Sequence, residues 1–262
     1  MNLDLSNKNA LVAGSSQGIG LAAAIELANL GANITLIARN KERLSSALNQ
    51  LPNNGSQNHS FIVADFNHPN QLKETIDSYL DKNANFHILI NNSGGPPGGP
   101  ITMAKLDEFH IAFQRHLACN HILATALLDG MKKYGYGRII NIISTSVKQP
   151  LNGLGVSNTI RGAVASWAKT LANEVGQFGI TVNNVLPGAT NTARLSSIIQ
   201  NKAKKLDTSI EAVEQTMQSI IPAKRFAEAK EIANAIAFLS SPAASYINGI
   251  NLPVDGGRTA SL

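Results

Sequence analysis

The chain has 262 residues, of which 44% are hydrophobic and 15% are charged, and its formal net charge is +5. This length predicts one domain over residues 1–262, and the absence of an 18-residue apolar run excludes a predicted membrane span. The basic residues are scattered and aromatic residues make up only 5%, so we expect no nucleic-acid partner. The N-terminal "MNLDLSNKN" lacks the features of a signal peptide, which predicts a cytoplasmic protein. A single cysteine, Cys119, predicts neither a disulfide nor a metal site.

Short apolar runs alternate with helical patterns along the whole chain. Near-continuous apolar strands separated by helix-length segments predict an α/β fold with a parallel sheet covered on both faces. In such a sheet, ligands bind beyond the carboxyl ends of the strands. The predicted strands are 9–14, 33–38, 60–65, 87–92, 138–144, 180–187 and 250–256.

The first predicted strand leads into "AGSSQGIG" and then into an apolar helical segment. Gly14, Gly18 and Gly20 would let the backbone turn tightly and approach a phosphate, which the helix N-terminus would stabilise. The spacing is GxxxGxG, whereas many dehydrogenases have GxGxxG. Because glycine-rich turns of this kind also serve packing alone, both uses stay open from the motif itself.

The second predicted strand ends in "ARN", so Arg39 stands where NAD-preferring sites carry an acid for the ribose hydroxyls. An arginine there can bind a 2′-phosphate, which favours NADP(H) over NAD(H) as the cofactor. The alternative is an ordinary solvated charge. Asp65 ends the third predicted strand, and "NNSGG" at 91–95 ends the fourth.

Two segments interrupt the strand-helix alternation. "SGGPPGGP" at 93–100 directly follows a strand, which predicts a shaped loop at the binding edge. Residues 193–221 contain two polar helical patterns, and we predict that they form a lid over a substrate. The alternative is an amphipathic helix packed on the body of the domain.

Together, "AGSSQGIG", "NNSG", "NIIS", "ITVNNVLPGATNT" and "SYINGINLPVDGG" resemble the short-chain dehydrogenase/reductase family, and in particular its 3-oxoacyl-acyl-carrier-protein reductase-like members. The resemblance covers nearly the whole chain. It implies a Rossmann-type, doubly wound, seven-stranded parallel sheet in a single dinucleotide-binding domain, and a homo-oligomer, either a tetramer or a dimer. It implies cofactor contacts at Gly14, Ser16, Gln17, Gly18, Ile19, Gly20, Arg39, Asp65, Phe66, Asn91, Ser93, Gly94, Arg161, Pro187, Gly188, Thr190 and Thr192.

The catalytic positions implied by the resemblance differ from the family pattern. Active members use a serine, a tyrosine thirteen residues later, a lysine four residues further, and an asparagine on the preceding helix. The corresponding residues here are Ser144, Ser157, Arg161 and His116, with Asn120 one turn after His116.

These replacements change the available chemistry. An aliphatic hydroxyl is not an effective acid near neutrality, and an arginine does not give up its proton. Ser144, Ser157 and Arg161 could instead stabilise a developing alkoxide by hydrogen bonds, with the proton coming from water or from His116. The alternative for His116 is a structural hydrogen bond, and the alternative for Ser157 is a helix N-cap.

"VSNTIRGAV" at 156–164 predicts the start of a helix, with Ser157 and Asn158 as candidate N-caps. Arg161 lies one turn inside this helix, close to its apolar face, so it needs an oxygen-rich partner. We expect this partner to be the cofactor ribose, or a carboxylate or carbonyl of the substrate. Two functions follow: an NADP(H)-dependent oxidoreductase of a small carbonyl or alcohol substrate, or a catalytically inactive NADP(H)-binding sensor or scaffold.

Overall fold

The computed structural model describes residues 1–82 and 85–261. Seven parallel strands form the main sheet in the order β3-β2-β1-β4-β5-β6-β9, and two short strands, β7 and β8, pair separately. The strands are β1 (Asn9–Ala13), β2 (Asn33–Ala38), β3 (Ser60–Val63), β4 (Ile88–Asn91), β5 (Gly137–Ile142), β6 (Ile180–Pro187), β7 (Thr190–Asn191), β8 (Ala227–Glu228) and β9 (Asn251–Val254).

Helices connect the strands and cover both faces of the sheet. A π-helical turn, Gln114–Ala118, separates the fourth helix from the fifth, and a 3-10 turn, Thr145–Val147, follows β5. The α-helices are α1 (Gly18–Asn29), α2 (Lys41–Leu48), α3 (Pro69–Leu80), α4 (Leu106–Phe113), α5 (Cys119–Tyr134), α6 (Gly155–Val175), α7 (Ala193–Leu206), α8 (Ile210–Ser219) and α9 (Ala229–Ser240).

The predicted seven-stranded, doubly wound Rossmann-type sheet is confirmed. The chain moves outward from β1 through β2 to β3, then returns to place β4 on the other side of β1. This reversal leaves a crevice at the carboxyl ends of β1 and β4, which is where ligands bind in open α/β sheets. No helix among residues 1–82 and 85–261 is long and apolar enough to cross a membrane.

The strands are almost wholly apolar because helices bury both faces of the sheet. In β1, Ala10 and Val12 belong to a core cluster that includes residues of α1 and α9. Their neighbours Leu11 and Ala13 point to the opposite face and join a second cluster that includes residues of α3, α5 and α6. The alternation of side chains along a strand therefore divides one apolar run between two cores.

A row of asparagine side chains crosses four strands of the sheet. The amide of Asn91 donates to Asn141 at 2.9 Å, Asn141 donates to Asn184 at 2.9 Å, and Asn184 donates to Asn251 at 2.8 Å. These residues are also register partners in the backbone pairing. Asn91 is only 1% exposed, so its side chain belongs to the sheet rather than to the crevice.

Helix α6 begins earlier than the sequence predicts. Its first residue is Gly155, so Ser157 and Asn158 lie within the first turn and the N-cap prediction for both is wrong. The side-chain amide of Asn158 donates to the carbonyl of Leu151 at 2.9 Å. This contact ties the first turn of α6 to the preceding loop.

Segment 193–221 forms a small helical unit. Leu195, Ile199 and Ala203 of α7 share a separate apolar cluster with Val213 of α8. Strands β7 and β8 pair on either side of this segment, where Thr190 is aligned with Ala227. The unit is therefore anchored at both ends, and its role as a substrate lid stays a prediction.

Candidate functional site

A cleft of about 430 Å³ lies at the carboxyl ends of the strands. It is lined by parts of the glycine turn, the end of β2, the loops after β3 and β4, and the start of α7. The predicted cofactor contacts that line it are Gly14, Ser16, Gln17, Gly18, Ile19, Arg39, Asp65, Phe66, Ser93, Gly94 and Thr192. The predicted contacts outside its lining are Gly20, Asn91, Arg161, Pro187, Gly188 and Thr190.

The glycine turn is closely packed against its neighbours. Gly14 and Gly18 have φ values of +58° and +60°, in the left-handed region that favours glycine. A β-carbon on Gly20 would collide with the carbonyl oxygen of Gly14 and would lie 2.8 Å from the side-chain nitrogen of Asn92. Gly20 therefore allows the helix to approach the turn, although it does not line the cleft itself.

The first turn of α1 has the features expected of an anion site. Gln17, at the N-cap, has an extended backbone and forms no side-chain hydrogen bond to the helix, and the first turn contains no acidic residue. The N–H groups at a helix N-terminus have no partner within the helix, and the helix dipole is positive at this end. Since Gly18 and Ile19 line the cleft, the arrangement fits a phosphate group.

Two exposed arginines lie where the second strand ends. Arg39 follows β2, and Arg43 lies one turn into α2 with Nη1 3.4 Å from Oε1 of Gln17. Neither arginine forms an ion pair within the described part of the chain. The sequence analysis identified Arg39 but missed Arg43, whose position one helical turn later was the available signal.

Asp65 lies in the loop after β3 and lines the cleft. Its carboxylate accepts hydrogen bonds from the backbone N–H of Asn67 at 3.0 Å and from the Asn67 side chain at 2.9 Å. Burial raises the pKa of Asp65, but these hydrogen bonds and the charge of Arg39 outweigh it and hold the pKa below its ordinary value. Asp65 is therefore a charged hydrogen-bond acceptor at neutral pH.

Asn92 takes the place in the cleft that was predicted for Asn91. Its side-chain nitrogen donates to the carbonyl of Gly14 at 3.2 Å, and the residue lines the cleft. Side chains of successive residues in a strand point to opposite faces of the sheet, so Asn91 and Asn92 do not point in the same direction. Asn92 is therefore the member of the pair that lines the cleft, and the cofactor contact predicted for Asn91 stays a prediction.

His116 lies in the π-helical turn between α4 and α5 and is only 2% exposed. Its Nδ1 is 2.8 Å from the hydroxyl of Ser93, and its buried Nε2 has no hydrogen-bond partner. Burial, followed by the positive charges of Arg161, Arg115 and Arg194, lowers the pKa of His116 to about 2. The imidazole is neutral at physiological pH, which favours water over His116 as the proton source, and the choice between the two stays a prediction.

Arg161 is 8% exposed, although it carries a charge. Its Nη1 donates to the backbone carbonyl of Ile142 at 2.9 Å, while its buried Nε has no partner. Burial, and then the charge of Arg194, lowers the pKa of Arg161 to about 10, so it remains a cation at neutral pH. The last carbonyl of β5 is therefore one of the hydrogen-bond acceptors that this guanidinium requires. Its Nε–H group has no acceptor.

The two serines lie on elements that pack together. Ser144 caps the turn Thr145–Val147, and its hydroxyl accepts from the backbone N–H of Ser146 at 3.1 Å. Ser157, in the first turn of α6, is half-buried like Ser144. Because α6 packs against this turn and Arg161 contacts β5, the structure places both serines and Arg161 at the same end of the sheet.

Arg194 is a functional candidate that the sequence analysis missed. It lies in the first turn of α7, and its Nη1 and Nη2 donate to the carbonyls of Gly95 and Pro96, both at 3.1 Å. These bonds join the predicted lid to the loop 93–100. No motif distinguished this arginine from other basic residues, so only the folded structure reveals it.

The fold and the glycine-lined cleft define a Rossmann-type α/β protein. A family profile described as enoyl-(acyl carrier protein) reductase matches residues 13–259. The chain belongs to the short-chain dehydrogenase/reductase family of oxidoreductases. Among the described residues, no group of three or more histidine, cysteine, aspartate or glutamate side chains could hold a metal ion.

Relatives of known function act on different molecules. The 3-oxoacyl-[acyl-carrier-protein] reductase FabG of Vibrio cholerae is 31% identical over 97% of this chain and 98% of its own length. The 7alpha-hydroxysteroid dehydrogenase of Escherichia coli is 29% identical over 100% of this chain and 98% of its own. The crystal structure of L-sorbose reductase from Gluconobacter frateurii, complexed with NADPH and L-sorbose, has a TM-score of 0.93 and 31% identity, with 100% of both chains covered.

Proposed function

We propose that the protein is an NADP(H)-dependent oxidoreductase of a carbonyl or hydroxyl group on a small molecule. The observation that carries this proposal is the combination, in one cleft, of a glycine turn, the uncapped N-terminus of α1 and an unpaired Arg39. The NADPH complex of the sorbose reductase, whose fold covers the whole chain, supports the same cofactor. We expect a homo-oligomer, a tetramer or dimer, in the cytoplasm.

The lining of the cleft supplies partners for the two phosphate sites of a phosphorylated dinucleotide. Gly18 and Ile19, at the N-terminus of α1, would hold the pyrophosphate by backbone N–H groups. Arg39 and Arg43 would bind the 2′-phosphate, because guanidinium groups form paired, charge-assisted hydrogen bonds with phosphate oxygens. A cofactor without this phosphate would leave both arginines in water, which is the basis of the proposed preference for NADP(H).

The residues after β5 would act on the reacting oxygen. The bound nicotinamide supplies or accepts the hydride at the substrate carbon. Ser144, Ser157 and Arg161 would donate hydrogen bonds to the substrate oxygen as negative charge develops on it, and Arg161 would contribute a fixed positive charge. Since His116 is neutral and position 157 has no phenol, we assign the proton to water.

The proposal is tested by combining a binding measurement with a turnover measurement. Isothermal calorimetry with NADPH measures binding, and the absorbance of NADPH during incubation with ketones, 3-oxoacyl thioesters and quinones measures turnover. We expect NADPH to bind and at least one ketone to oxidise it, and we expect Ser144→Ala to lower that rate at least about tenfold. Binding without turnover on any substrate would favour the inactive sensor or scaffold, and the absence of NADPH binding would contradict both functions.

A further inference from the structure

Two guanidinium groups face the same point beside the loop that follows β4. A β-carbon at residue 95 would lie 2.8 Å from Nη2 of Arg194 and 3.5 Å from Nη2 of Arg161. Arg161 is buried at this point, whereas Arg194 is exposed on the first turn of α7. Because Gly95 has no side chain, the guanidinium of Arg194 can approach the loop closely at this point, with that of Arg161 nearby.

Neither cation has an anionic partner. Arg161 and Arg194 contact only backbone carbonyls, those of Ile142, Gly95 and Pro96, and neither forms an ion pair among residues 1–82 and 85–261. Nε of Arg161 is buried without any hydrogen-bond partner. A buried, incompletely paired charge is unfavourable, and a second positive charge nearby increases the cost.

Further positive charge surrounds the same point. Arg115 lines the cleft beside Arg194, and it acts together with Arg161 and Arg194 on His116. His116 is itself uncharged and therefore adds no repulsion. The region is thus positive, partly shielded from water, and open towards the cleft, which are the conditions under which an anion binds strongly.

We propose that Arg161 and Arg194 form a binding site for a carboxylate of the substrate. The inference rests on the proposed oxidoreductase function and specifies its substrate class: a small molecule with a carboxylate close to the reacting carbonyl or hydroxyl, such as a 2-oxo or 2-hydroxy acid. Two guanidinium groups match a carboxylate because its two oxygens can accept from separate N–H donors. The anion would also offset the repulsion between the two cations.

The cofactor phosphates have other partners. The N-terminus of α1 and the pair Arg39 and Arg43 already provide two anion sites along the cleft. Arg161, by contrast, bonds to the end of β5 next to Ser144, where the reacting oxygen is assigned. A carboxylate held by Arg161 would thus lie close to the position assigned to the reacting oxygen.

The test measures binding to the protein saturated with NADP⁺, which cannot reduce the added compound. Pyruvate, 2-oxobutanoate and 2-oxo-4-phenylbutanoate are titrated calorimetrically, each against its own ethyl ester. For at least one pair, we expect the acid to bind about tenfold or more tightly than the ester, as hydrogen bonds to charged groups predict. Equal affinities within every pair would overturn the inference, and so would the absence of binding by all three acids.

Substitutions show which residue is responsible for the preference for acids over esters. Arg194→Gln should reduce the ratio of acid to ester affinity to near one, and Arg194→Lys should restore part of it. Lys202→Gln removes an exposed positive charge from the same helix and should keep the wild-type ratio. If Arg194→Gln instead weakens NADP⁺ binding and leaves the ratio intact, Arg194 belongs to the cofactor site and the inference fails.

The failure of this inference is distinguishable from the failure of the proposed function. If the protein binds NADP⁺ and reduces a neutral ketone but shows no preference for acids over esters, the oxidoreductase proposal stands and the carboxylate site is wrong. If the wild-type protein does not bind NADP⁺ at all, the proposed function fails and the inference fails with it.

Discussion

The two sides of the carboxyl-end edge of the sheet hold their charged groups in different surroundings. On the side of β1 and β2, backbone N–H groups at the start of α1 and exposed arginines surround open space. On the side of β5 and α6, the candidate groups are the side chains of Arg161 and His116, both almost completely buried. Water stabilises an unpaired charge on the first side, whereas it has little access to the second.

This difference determines what each side requires of a ligand. Arg39 is exposed, so its charge costs little when the cleft holds no anion. Arg161 has lost most of its hydration and has recovered only one carbonyl contact at Nη1. An anion on the second side would therefore affect the stability of the folded protein, whereas an anion on the first side would mainly determine which cofactor binds.

A large effect should come from the backbone of the first side. Gly20→Ala places a β-carbon against the carbonyl of Gly14, so α1 or the turn must move. Overpacking of this kind costs about 1–3 kcal/mol, and displacement of the phosphate site should weaken NADPH binding up to about 100-fold. Calorimetry measures the affinity, and urea unfolding measures the stability.

Gly99→Ala is the matched control. No atom lies within 4 Å of a β-carbon at position 99, and this glycine does not have a positive φ. Its NADPH affinity should equal that of the wild type. If Gly20→Ala also binds NADPH normally, cofactor binding on the first side does not depend on the close packing of α1 against the glycine turn. The proposed difference between the two sides would then be wrong.

A second test restores the family pattern on the other side. Ser157→Tyr combined with Arg161→Lys supplies the phenol and the ammonium group that the family resemblance implies at these two positions. Because a positioned general acid contributes about 10²- to 10⁴-fold, the rate of NADPH oxidation with a neutral ketone should rise at least about 10²-fold. Arg161→Lys alone should give no such rise, and an unchanged rate in the double variant would mean that the site has diverged beyond these two positions.

The features that could be predicted from the sequence depend on the backbone. The apolar runs of β1 and β2 and the glycines at 14, 18 and 20 appear directly in the letters, because strand burial, left-handed turns and close backbone approach restrict residue type. The same rules located Arg39 at the end of β2. These are local constraints, and a single sequence is enough to recognise them.

The features that could not be predicted depend on contacts between distant segments. Arg194 meets Gly95 across 99 positions of the chain, and the neutral state of His116 depends on burial that no local pattern encodes. The choice between Asn91 and Asn92 depends on which strand face is turned towards the cleft. The start of α6 at Gly155 was missed because Ser157 and Asn158 are favoured N-caps and occur just downstream.

A third test addresses cofactor choice on the first side. Arg39→Ala removes a cation that we assign to the 2′-phosphate, so the Kd for NADPH should rise about 10- to 100-fold while the Kd for NADH changes little. Arg43→Ala should show a smaller effect in the same direction. Fluorescence titration with both cofactors measures these Kd values. An equal loss of affinity for NADPH and NADH would mean that Arg39 contacts a part of the cofactor that the two molecules share.

The smallest expected effect concerns the stability of the second side in acid. Folding holds the pKa of His116 at about 2, whereas the unfolded imidazole titrates near its ordinary value of 6.5. Between these values the unfolded state binds one more proton, so the free energy of unfolding decreases as the pH falls. The decrease due to His116 should be about 1.4 kcal/mol for each pH unit below 6.5.

Urea unfolding at pH 7, 6 and 5 measures this slope. His116→Gln removes the titrating group, so its free energy of unfolding should decrease less steeply between pH 6 and pH 5 than that of the wild type. His121→Gln, at an exposed position on α5, removes a histidine without changing the buried site and should keep the wild-type slope. An identical slope in His116→Gln would mean that His116 is protonated in the folded protein, and the second side would then carry a fourth positive charge beside Arg115, Arg161 and Arg194.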